Sequence, residues 1–251
     1  MKLEVNAVSK RFAIPVLDGI SFQAAQGELV CLLGPNGCGK TTLLRIIGGL
    51  EAPTAGEVRF DGRPVVVGAA DLHVGVVFQE DRLLPWMTLA ANVALVLRAQ
   101  GVEARARQET ARRYLRFVGL QGFEDYYPNR VSGGMRQRAA IARALAIDPA
   151  LLLMDEPFGG LDAQNRRIMQ AEVKRIWAET AKTIVFVTHS IEEAVAIGTT
   201  LIMLSARPAR VRELIRNDRE GDARDPHALI DHLNQVIMEE VLHQQGGAEG
   251  P

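Results

Sequence analysis

The sequence predicts an α/β protein: a mostly parallel β-sheet covered by helices, with antiparallel strands at one edge and a helical insertion. Short apolar runs, typical of strands buried on both faces, alternate with segments of helical periodicity. The first 30 residues and residues 56–67 instead alternate and contain turn signals such as "DGRP", which indicates antiparallel strands. The predicted strands of the main sheet are Leu29–Leu33, Val74–Phe78, Leu151–Met154, Thr183–Val187 and Leu201–Leu204.

These segments predict three parts of the chain. Residues 1–87 and 150–218 form an α/β core with an N-terminal antiparallel subdomain, and residues 88–149 form a helical subdomain without strands. Residues 219–251 form a helical tail with a frayed end. Six apolar residues of the tail predict one amphipathic helix: Leu229, Ile230, Leu233, Val236, Ile237 and Val241.

The composition is that of an ordinary globular protein, with 47% hydrophobic and 24% charged residues. A formal net charge of -1 weighs against nucleic-acid binding, which normally needs a basic face. No apolar run approaches the roughly 18–20 residues that span a bilayer, and the N-terminus lacks the apolar stretch of a signal peptide. We therefore expect a cytoplasmic chain. The two cysteines suggest neither a disulfide scaffold nor a metal cluster.

The stretch "GPNGCGKT", Gly34–Thr41, matches the phosphate-loop pattern G-x-x-x-x-G-K-[ST]. It lies between a predicted strand and a predicted helix, which is the context that the pattern requires. The glycines allow backbone N–H groups to surround a polyphosphate, Lys40 can reach the β- and γ-phosphates, and Thr41 can bind Mg²⁺. The alternative, a glycine-rich turn without a ligand, is disfavoured by that context.

Polar residues follow three of the predicted strands. In "LLLMDEP" an apolar strand ends in two acids, so Asp155 is a candidate magnesium ligand and Glu156 a candidate general base for the attacking water. Gln79 follows "VGVVF" and either orients the water or binds the metal, or is simply a polar residue where a strand meets solvent. His189 ends "TIVFVTH" and can donate to a γ-phosphate, although a lone histidine at a strand end is more often structural.

Two further features are ambiguous on their own. The stretch "VSGGMRQRAAIARAL", Val131–Leu145, places two glycines before a predicted helix, and free N–H groups at a helix N-terminus suit an anion. A second phosphate site in one chain is redundant unless the anion belongs to another molecule. Phe12 can stack on an adenine ring if it is exposed, but by itself it predicts packing at an edge strand.

Taken together, these motifs resemble the ATP-binding subunits of ABC transporters, and the resemblance covers most of the chain, Phe12–Ser205. It implies a phosphate-loop NTPase (RecA-like) core with an antiparallel β edge subdomain and an inserted helical subdomain that carries the signature motif. The closer resemblance is to the ATP-binding subunits of importers of the nitrate, sulfonate and taurine type, and it lies in segments such as "VFQEDRLLPWMTLAANV" and "SARPARV". In chain order the motifs are Phe12, "GPNGCGKT", Gln79, "VSGGMRQR", "LLLMDEP", "GGLD" and His189.

The resemblance implies a role for each residue. Phe12 would stack on adenine, Glu156 would be the general base, and His189 would sense the γ-phosphate. Asp162, in "GGLD", would communicate across a dimer interface, and Glu80–Trp86 would line the groove for a helix of a membrane partner. ATP and Mg²⁺ would be held by Gly34, Pro35, Asn36, Gly37, Cys38, Gly39, Lys40, Thr41 and Thr42, with Gln79 and Asp155 completing the metal and water environment. Ser132, Gly133 and Gly134 would contact ATP bound to the opposite subunit.

The implied assembly contains this chain and a second copy, or a paralogous ATPase subunit, closed around two ATP molecules. Its other partners would be an integral membrane permease, at the cytoplasmic face of the inner (plasma) membrane, and indirectly an extracytoplasmic solute-binding protein. Nucleic acid is not an expected partner. The sequence departs from the family pattern without losing a catalytic group at Val131, Gly160, Ser190 and Ile197–Thr200.

Three alternatives stay open. An ABC-type ATPase acting on ribosomes or DNA would usually have two such domains or long coiled coils, and this chain shows one domain and no sustained heptads. The ATPase subunit of an exporter would have the same catalytic residues, although the sequence of Glu80–Trp86 favours import. A purely regulatory nucleotide-binding module is disfavoured by the presence of Glu156 and His189.

Overall fold

The structure is a computed structural model that describes residues 2–68, 74–217 and 225–246. The strands in chain order are β1 (Leu3–Arg11), β2 (Pro15–Ala24), β3 (Leu29–Leu33), β4 (Ala55–Phe60), β5 (Arg63–Pro64), β6 (Val74–Val77), β7 (Leu151–Asp155), β8 (Thr183–Val187), β9 (Thr200–Leu204) and β10 (Val211–Arg216). The α-helices are α1 (Lys40–Ile47), α2 (Leu89–Ala99), α3 (Ala104–Phe117), α4 (Gly133–Ala146), α5 (Ala163–Thr180), α6 (Ile191–Ile197) and α7 (Pro226–Gly246).

The described residues form two compact units. The first combines the residues before 69 with those from 181 onward, and the second contains residues 74–180. The chain therefore leaves the first unit once and returns to it. The predicted boundaries of the helical subdomain and of the tail stay predictions.

The centre of the first unit is the parallel group β9, β3 and β8, in which β3 lies between the other two strands. Every residue of these three strands is buried, which confirms the prediction of strands covered on both faces. Helix α1 packs against β8 and helix α6 against β3, so helices cover this group. The predicted bounds agree with the structure to within one residue.

Strand β10 pairs antiparallel with β9 and extends this group, and the sequence did not predict it. More exposed and less exposed positions alternate along this strand, but polar and apolar residue types do not follow the same alternation. Leu214 is 43% exposed, whereas the next residue, Ile215, is buried. An edge strand with one solvated face needs little apolar content, so the apolar run that marks the other strands is missing here.

The predicted antiparallel edge is confirmed as a second sheet of the first unit, with the strand order β2-β1-β4-β5. Within "DGRP", Asp61 and Gly62 join β4 to β5 with positive φ angles of 47° and 76°. Two consecutive positive φ angles are typical of a two-residue hairpin turn, for which Asp-Gly is a preferred sequence.

In the second unit, β6 and β7 are parallel neighbours with Val77 opposite Met154. Only Gly75 and Val77 of β6 are buried, so this strand is half-covered rather than buried throughout, and it ends before Phe78. Helices α2, α3 and α4 pack on one another. Across residues 89–146, all of which the structure describes, there are helices and no strand, as predicted.

Helix α7 confirms the predicted amphipathic tail. Leu229, Leu233 and Val236 are buried, while Met238 on the other side is 63% exposed. The helix packs against α6. Among the helices that the structure describes, none combines the length and the hydropathy needed to span a membrane.

Candidate active site

The phosphate loop has a backbone that only glycine can supply. Between β3 and α1, Gly34, Gly37 and Gly39 have positive φ angles of 152°, 75° and 121°. A Cβ atom on Gly34 would lie 2.8 Å from the carbonyl oxygen of Leu204, and one on Gly39 would lie 2.8 Å from Cγ1 of Val16. Both distances are below those of real Cβ contacts, so the loop is shaped by the absence of side chains.

Lys40 begins α1 and is buried, with its Nζ donating to the carbonyl oxygens of Gly34 (2.9 Å) and Pro35 (3.1 Å). Helix α1 has no side-chain cap and no acidic residue in its first turn, and a helix N-terminus of this kind favours an anion. Thr41 and Thr42 lie in that turn and are half-buried. A buried ammonium group at an uncapped helix N-terminus fits the phosphates of a nucleotide.

Other predicted residues of the loop differ in exposure. Asn36 and Gly37 are exposed, whereas Pro35 and Cys38 are buried. Burial raises the pKa of the Cys38 thiol, and the nearby charges of Lys40 and Arg207 lower it by less, so the thiol stays neutral at physiological pH. Cys38 therefore serves as a small apolar side chain under the loop.

Phe12 lies in the turn between β1 and β2 and is 53% exposed. By itself Phe12 predicted packing at an edge strand, and this is wrong, because the residue follows the end of β1 at Arg11 and is more than half exposed. The Nζ of Lys10 lies 4.8 Å from the centre of the ring. An exposed aromatic ring is available for stacking on a base. His189 is also exposed, and it follows β8 just before α6.

In the second unit, three predicted residues lie at the carboxyl ends of neighbouring strands. Because Val77 pairs with Met154, Gln79 and Glu156 each come two residues after the pair. Asp155 ends β7 and is buried, and Glu156 is half-buried with a φ of 43°. A positive φ is unusual for a residue other than glycine, and such backbone conformations cluster at functional sites.

The turn that follows Glu156 also contacts Gln79. A Cβ on Gly159 would lie 3.5 Å from Nε2 of Gln79, and the N–H of Gly159 donates to the carbonyl oxygen of Glu156 at 3.1 Å. The structure therefore brings Gln79 close to the turn that carries the two acids. Carboxylate and amide oxygens are ligands that suit Mg²⁺.

The two glycines of "VSGGMRQR" form the first turn of α4, and Ser132 is its N-cap. The Ser132 hydroxyl accepts a hydrogen bond from the N–H of Met135 at 3.3 Å. The first turn contains no acidic residue. Among the described residues outside the backbone of α4, the atom nearest to a Cβ on Gly133 would be Nη2 of Arg136 at 3.7 Å, so the start of α4 is not crowded at this glycine.

Asp162, predicted to act at a dimer interface, is exposed and caps the start of α5. Its two carboxylate oxygens accept hydrogen bonds from the backbone N–H (2.9 Å) and the side-chain amide (2.6 Å) of Asn165. These hydrogen bonds lower the pKa of the Asp162 carboxyl, the backbone one most strongly. Asp162 is thus a negatively charged cap within its own chain.

Two arginines of α4 attach the loop after Gln79 to that helix, and no sequence pattern predicted these contacts. Nε of Arg136 pairs with Oδ2 of Asp81 at 3.0 Å, and the guanidinium of Arg143 donates to the carbonyl oxygens of Asp81 (2.8 Å) and Arg82 (2.7 Å). Gln79, Asp81, Gly133 and Arg136 are among the residues around a cavity of about 430 Å³. Arg136 is therefore occupied by Asp81 rather than free for an anion.

Asn92 is a second residue that the sequence analysis missed. It is fully buried on α2, and its side chain accepts from the N–H of Leu84 and donates to the carbonyl oxygens of Leu84, Met87 and Thr88. Its hydrogen bonds hold the loop that contains the exposed Trp86. A polar residue inside the apolar helix "LAANVALVLRA" was the available signal.

Comparisons with known proteins agree with this geometry. Residues 17–159 match the ABC transporter family. The chain is 47% identical to an uncharacterized ABC transporter ATP-binding protein of Methanocaldococcus jannaschii, over 88% of this chain and 84% of that protein. It is 48% identical to the taurine import ATP-binding protein TauB of Burkholderia pseudomallei, over 84% of this chain and 80% of that protein.

A solved structure is also similar, with a TM-score of 0.76 and 31% identity over 86% of this chain and 99% of that chain. It is a dimeric ATP-binding cassette in a post-hydrolysis state with ADP and Pi bound. The chain belongs to the ABC transporter family and has the phosphate-loop NTPase fold of its ATP-binding cassettes. The resemblance on which the sequence analysis relied is thereby confirmed.

Gly39→Ala tests the shape of the phosphate loop. We expect at least a tenfold loss of affinity for a fluorescent ATP analogue, because the new Cβ would collide with Val16 and alanine is strained at this φ. Gly62→Ala is the matched control, since its φ of 76° is also positive but no atom lies within 4 Å of the added Cβ. A folded Gly39→Ala protein with wild-type affinity would contradict the assignment.

Proposed function

We propose that this chain is the ATP-hydrolysing subunit of an ABC importer, and that it dimerises around two ATP molecules to drive the uptake of a small anionic or polar solute. The observation that carries the proposal is the phosphate loop. It combines a backbone shaped by glycines, a buried Lys40 and an uncapped α1, which are the parts needed to hold a polyphosphate. The high similarity to ATP-binding proteins of importers supports the direction of transport.

Within one subunit, we assign binding of the ATP phosphates to residues 34–42 and stacking on adenine to the exposed Phe12. Asp155 is the proposed ligand of Mg²⁺, with Thr41 and Gln79 as further oxygen donors. When bound, Mg²⁺ neutralises charge on the phosphates. Among the described residues there is no cluster of three or more His, Cys, Asp or Glu, and the Thr41 hydroxyl and the Gln79 amide would add oxygen ligands of the kind that suits Mg²⁺.

Hydrolysis needs a base for water and a donor for the γ-phosphate. Glu156 is the proposed base, because the strained backbone after β7 fixes its position at the strand end. His189 is the proposed donor and is accessible after β8. Gln79, near the turn that follows Glu156, is proposed to orient the water. Phosphoryl transfer depends mainly on such positioning and on charge stabilisation.

The start of α4 is proposed to bind ATP held by the second subunit. Ser132, Gly133 and Gly134 offer a hydroxyl, backbone N–H groups and the positive end of the helix dipole, and the chain leaves space in front of Gly133. Among the described residues, the nearest atoms that a Cβ on Gly133 would meet are 3.7 Å away or more, which suits the approach of a ligand from another molecule. Asp162 is proposed to lie at the same dimer interface. The similar dimeric cassette supports this assembly.

The segment Glu80–Trp86 is proposed to receive a helix of a membrane permease. Trp86 is 70% exposed, and hydrogen bonds from the buried Asn92 hold its loop in place. A large aromatic ring is therefore available at the surface for contact with a partner. Closure of the dimer on ATP and its opening after hydrolysis would shift the permease between two states. Such a subunit works at the cytoplasmic face of the inner membrane, with an extracytoplasmic solute-binding protein as an indirect partner.

Taurine is the first solute to test, because several of the similar proteins are named as taurine import ATP-binding proteins. Nitrate and other sulfonates fit the same importer type. The subunit does not itself contact the solute, so its residues carry no substrate information. An ABC-type ATPase unconnected with transport and an exporter ATPase remain as alternatives to be separated by experiment.

Glu156→Gln tests the catalytic assignment. We expect phosphate release to fall by at least a hundredfold, since general-base catalysis contributes about 10²–10⁴-fold, while ATP binding and an ATP-stabilised dimer persist. Phosphate release and size-exclusion chromatography with ATP and Mg²⁺ measure the two effects. Glu109→Gln, an exposed acid on α3, is the control for loss of one charge. A Glu156→Gln protein that hydrolyses ATP at the wild-type rate would exclude this role.

Gly133→Asp tests the role of the second subunit. A carboxylate at the start of α4 is favourable within the chain but repels a phosphate that faces it, so we expect hydrolysis to be abolished while the monomer binds ATP as before. Binding is measured with a fluorescent ATP analogue at low protein concentration, and hydrolysis at high concentration. If monomer binding falls in parallel with hydrolysis, the anion in front of α4 is not the partner's ATP.

The importer assignment predicts co-purification with a membrane permease and stimulation of ATPase activity by a solute-loaded binding protein. The assay uses the complex reconstituted in liposomes, with the binding protein offered together with taurine, nitrate or no solute. Stimulation only by one loaded binding protein identifies the solute class. A membrane partner that works without any binding protein and moves its solute outward would overturn import in favour of export.

A further inference from the structure

The loop of residues 205–210, between β9 and β10, contacts several parts of the first unit. The N–H of Ala209 donates to the carbonyl oxygen of Val16, and the N–H of Asp18 donates to the carbonyl oxygen of Ala209, both at 2.9 Å. Nε of Arg210 donates to the Asp18 carboxylate at 2.9 Å. These contacts fix the loop beside the start of β2, which also borders Gly39 of the phosphate loop.

Within this loop, Arg207 contacts the phosphate loop itself. Its Nη2 atom donates to the carbonyl oxygen of Gly37 at 2.5 Å. Gly37 is exposed, and among the described residues other than its chain neighbours, only Nη2 of Arg207 lies within 4 Å of a Cβ built on it. Around Gly37 the packing is therefore looser than around Gly34 and Gly39, where a Cβ would collide with neighbouring atoms.

A hydrogen bond at this position has a direct consequence for the loop. The peptide unit is planar and trans, so the carbonyl of Gly37 and the N–H of Cys38 point in opposite directions. The N–H of Cys38 donates to the carbonyl oxygen of Pro35 at 3.3 Å, so Arg207 holds the other, carbonyl side of the same peptide unit. It further adds one positive charge beside a loop that binds polyphosphate.

The position of Arg207 is linked to the C-terminal helix. Oε2 of Glu240, on α7, accepts a hydrogen bond from the N–H of Ala206 at 2.9 Å, and Oε1 lies 3.4 Å from Nε of Arg212 on β10. The Glu240 side chain is only 12% exposed. Helix α7 thus holds the residue that comes immediately before Arg207.

We propose that Arg207 is a positioning residue of the phosphate loop, and that α7 sets its position through Glu240. The contact Glu240–Ala206, the peptide bond to Arg207 and the contact Arg207–Gly37 form a continuous path from the tail helix to the nucleotide site. A partner or a modification that displaces α7 changes the affinity for ATP by this path. The proposal depends on the phosphate loop binding ATP.

Arg207→Gln tests the positioning role. We expect the KM for ATP to rise three- to tenfold and the affinity for a fluorescent ATP analogue to fall equally, with kcat changed less than twofold and the melting temperature retained. Arg207→Lys should restore KM to within about threefold of the wild type, because an ammonium group also donates to a carbonyl. Arg63→Gln is the control, since it removes the same charge from an exposed position on β5, outside the loop that carries Arg207.

Three results would overturn the proposal. An unchanged KM in Arg207→Gln would show that the contact does not position the loop. A loss of kcat together with a lowered melting temperature would show a structural role, and an equal effect of Arg63→Gln would show a general effect of charge. If the wild-type chain itself fails to bind the ATP analogue, the proposed ATPase function fails first, which separates the two hypotheses.

Glu240→Ala tests the link to α7. It should raise the KM in the same direction as Arg207→Gln, and the double variant should be no worse than Arg207→Gln alone, because both changes act on one path. Glu239→Gln, on the exposed side of α7, is the control. Additive effects on KM, or none from Glu240→Ala in a folded protein, would exclude α7 as the element that positions Arg207.

Discussion

The close packing of Val16 and Leu204 against the glycines of the phosphate loop is the constraint on which the site depends. Gly34 lies against β9 and Gly39 against the start of β2, each where a Cβ would come within 2.8 Å of a neighbouring atom. The antiparallel sheet and the parallel strands therefore shape the loop from two sides. Because the backbone is held this way, Lys40 is buried at the start of α1 with its charge directed at loop carbonyl oxygens.

Two helix N-termini in this chain suit anions, but they are built differently. Helix α1 starts at a glycine without a side-chain cap, and its buried lysine gives the site a fixed positive charge. Helix α4 has Ser132 as its N-cap, and the Ser132 hydroxyl accepts a hydrogen bond from the N–H of Met135. Arg136, in the same turn, is paired with Asp81. The first site is equipped to hold a polyphosphate by itself, whereas the second offers mainly N–H groups and a hydroxyl. This difference fits the proposal that the start of α1 holds the chain's own ATP and that the start of α4 contacts ATP held by the second subunit.

The sequence predicted those parts of the fold that short apolar runs and turn residues determine. The strands β3, β8 and β9 are apolar throughout because they are buried on both faces, and "DGRP" forms a turn because Asp-Gly accepts positive φ. Strand β10 was not predicted, because an edge strand with one solvated face lacks the apolar run that marks the other strands. By itself Phe12 did not indicate whether its ring is exposed, because that depends on the residues that pack around it. The pairing of Arg136 with Asp81, 55 positions earlier, was also beyond a sequence pattern. Motif residues could be found from spacing, but their supporting partners are set by tertiary packing.

Those supporting partners bear on how hydrolysis and transport are coupled. The Arg136–Asp81 ion pair is about one-third exposed, and an ion pair of that kind contributes roughly 0–1 kcal/mol. The hydrogen bonds from Arg143 and from the buried Asn92 go to backbone groups of the same loop, where each contributes about 1 kcal/mol. The loop after Gln79 is therefore attached mainly through hydrogen bonds to its backbone, and the surface ion pair adds little. The segment proposed to meet the permease is held to α2 and to α4, and α4 is the helix whose first turn is proposed to contact ATP of the second subunit.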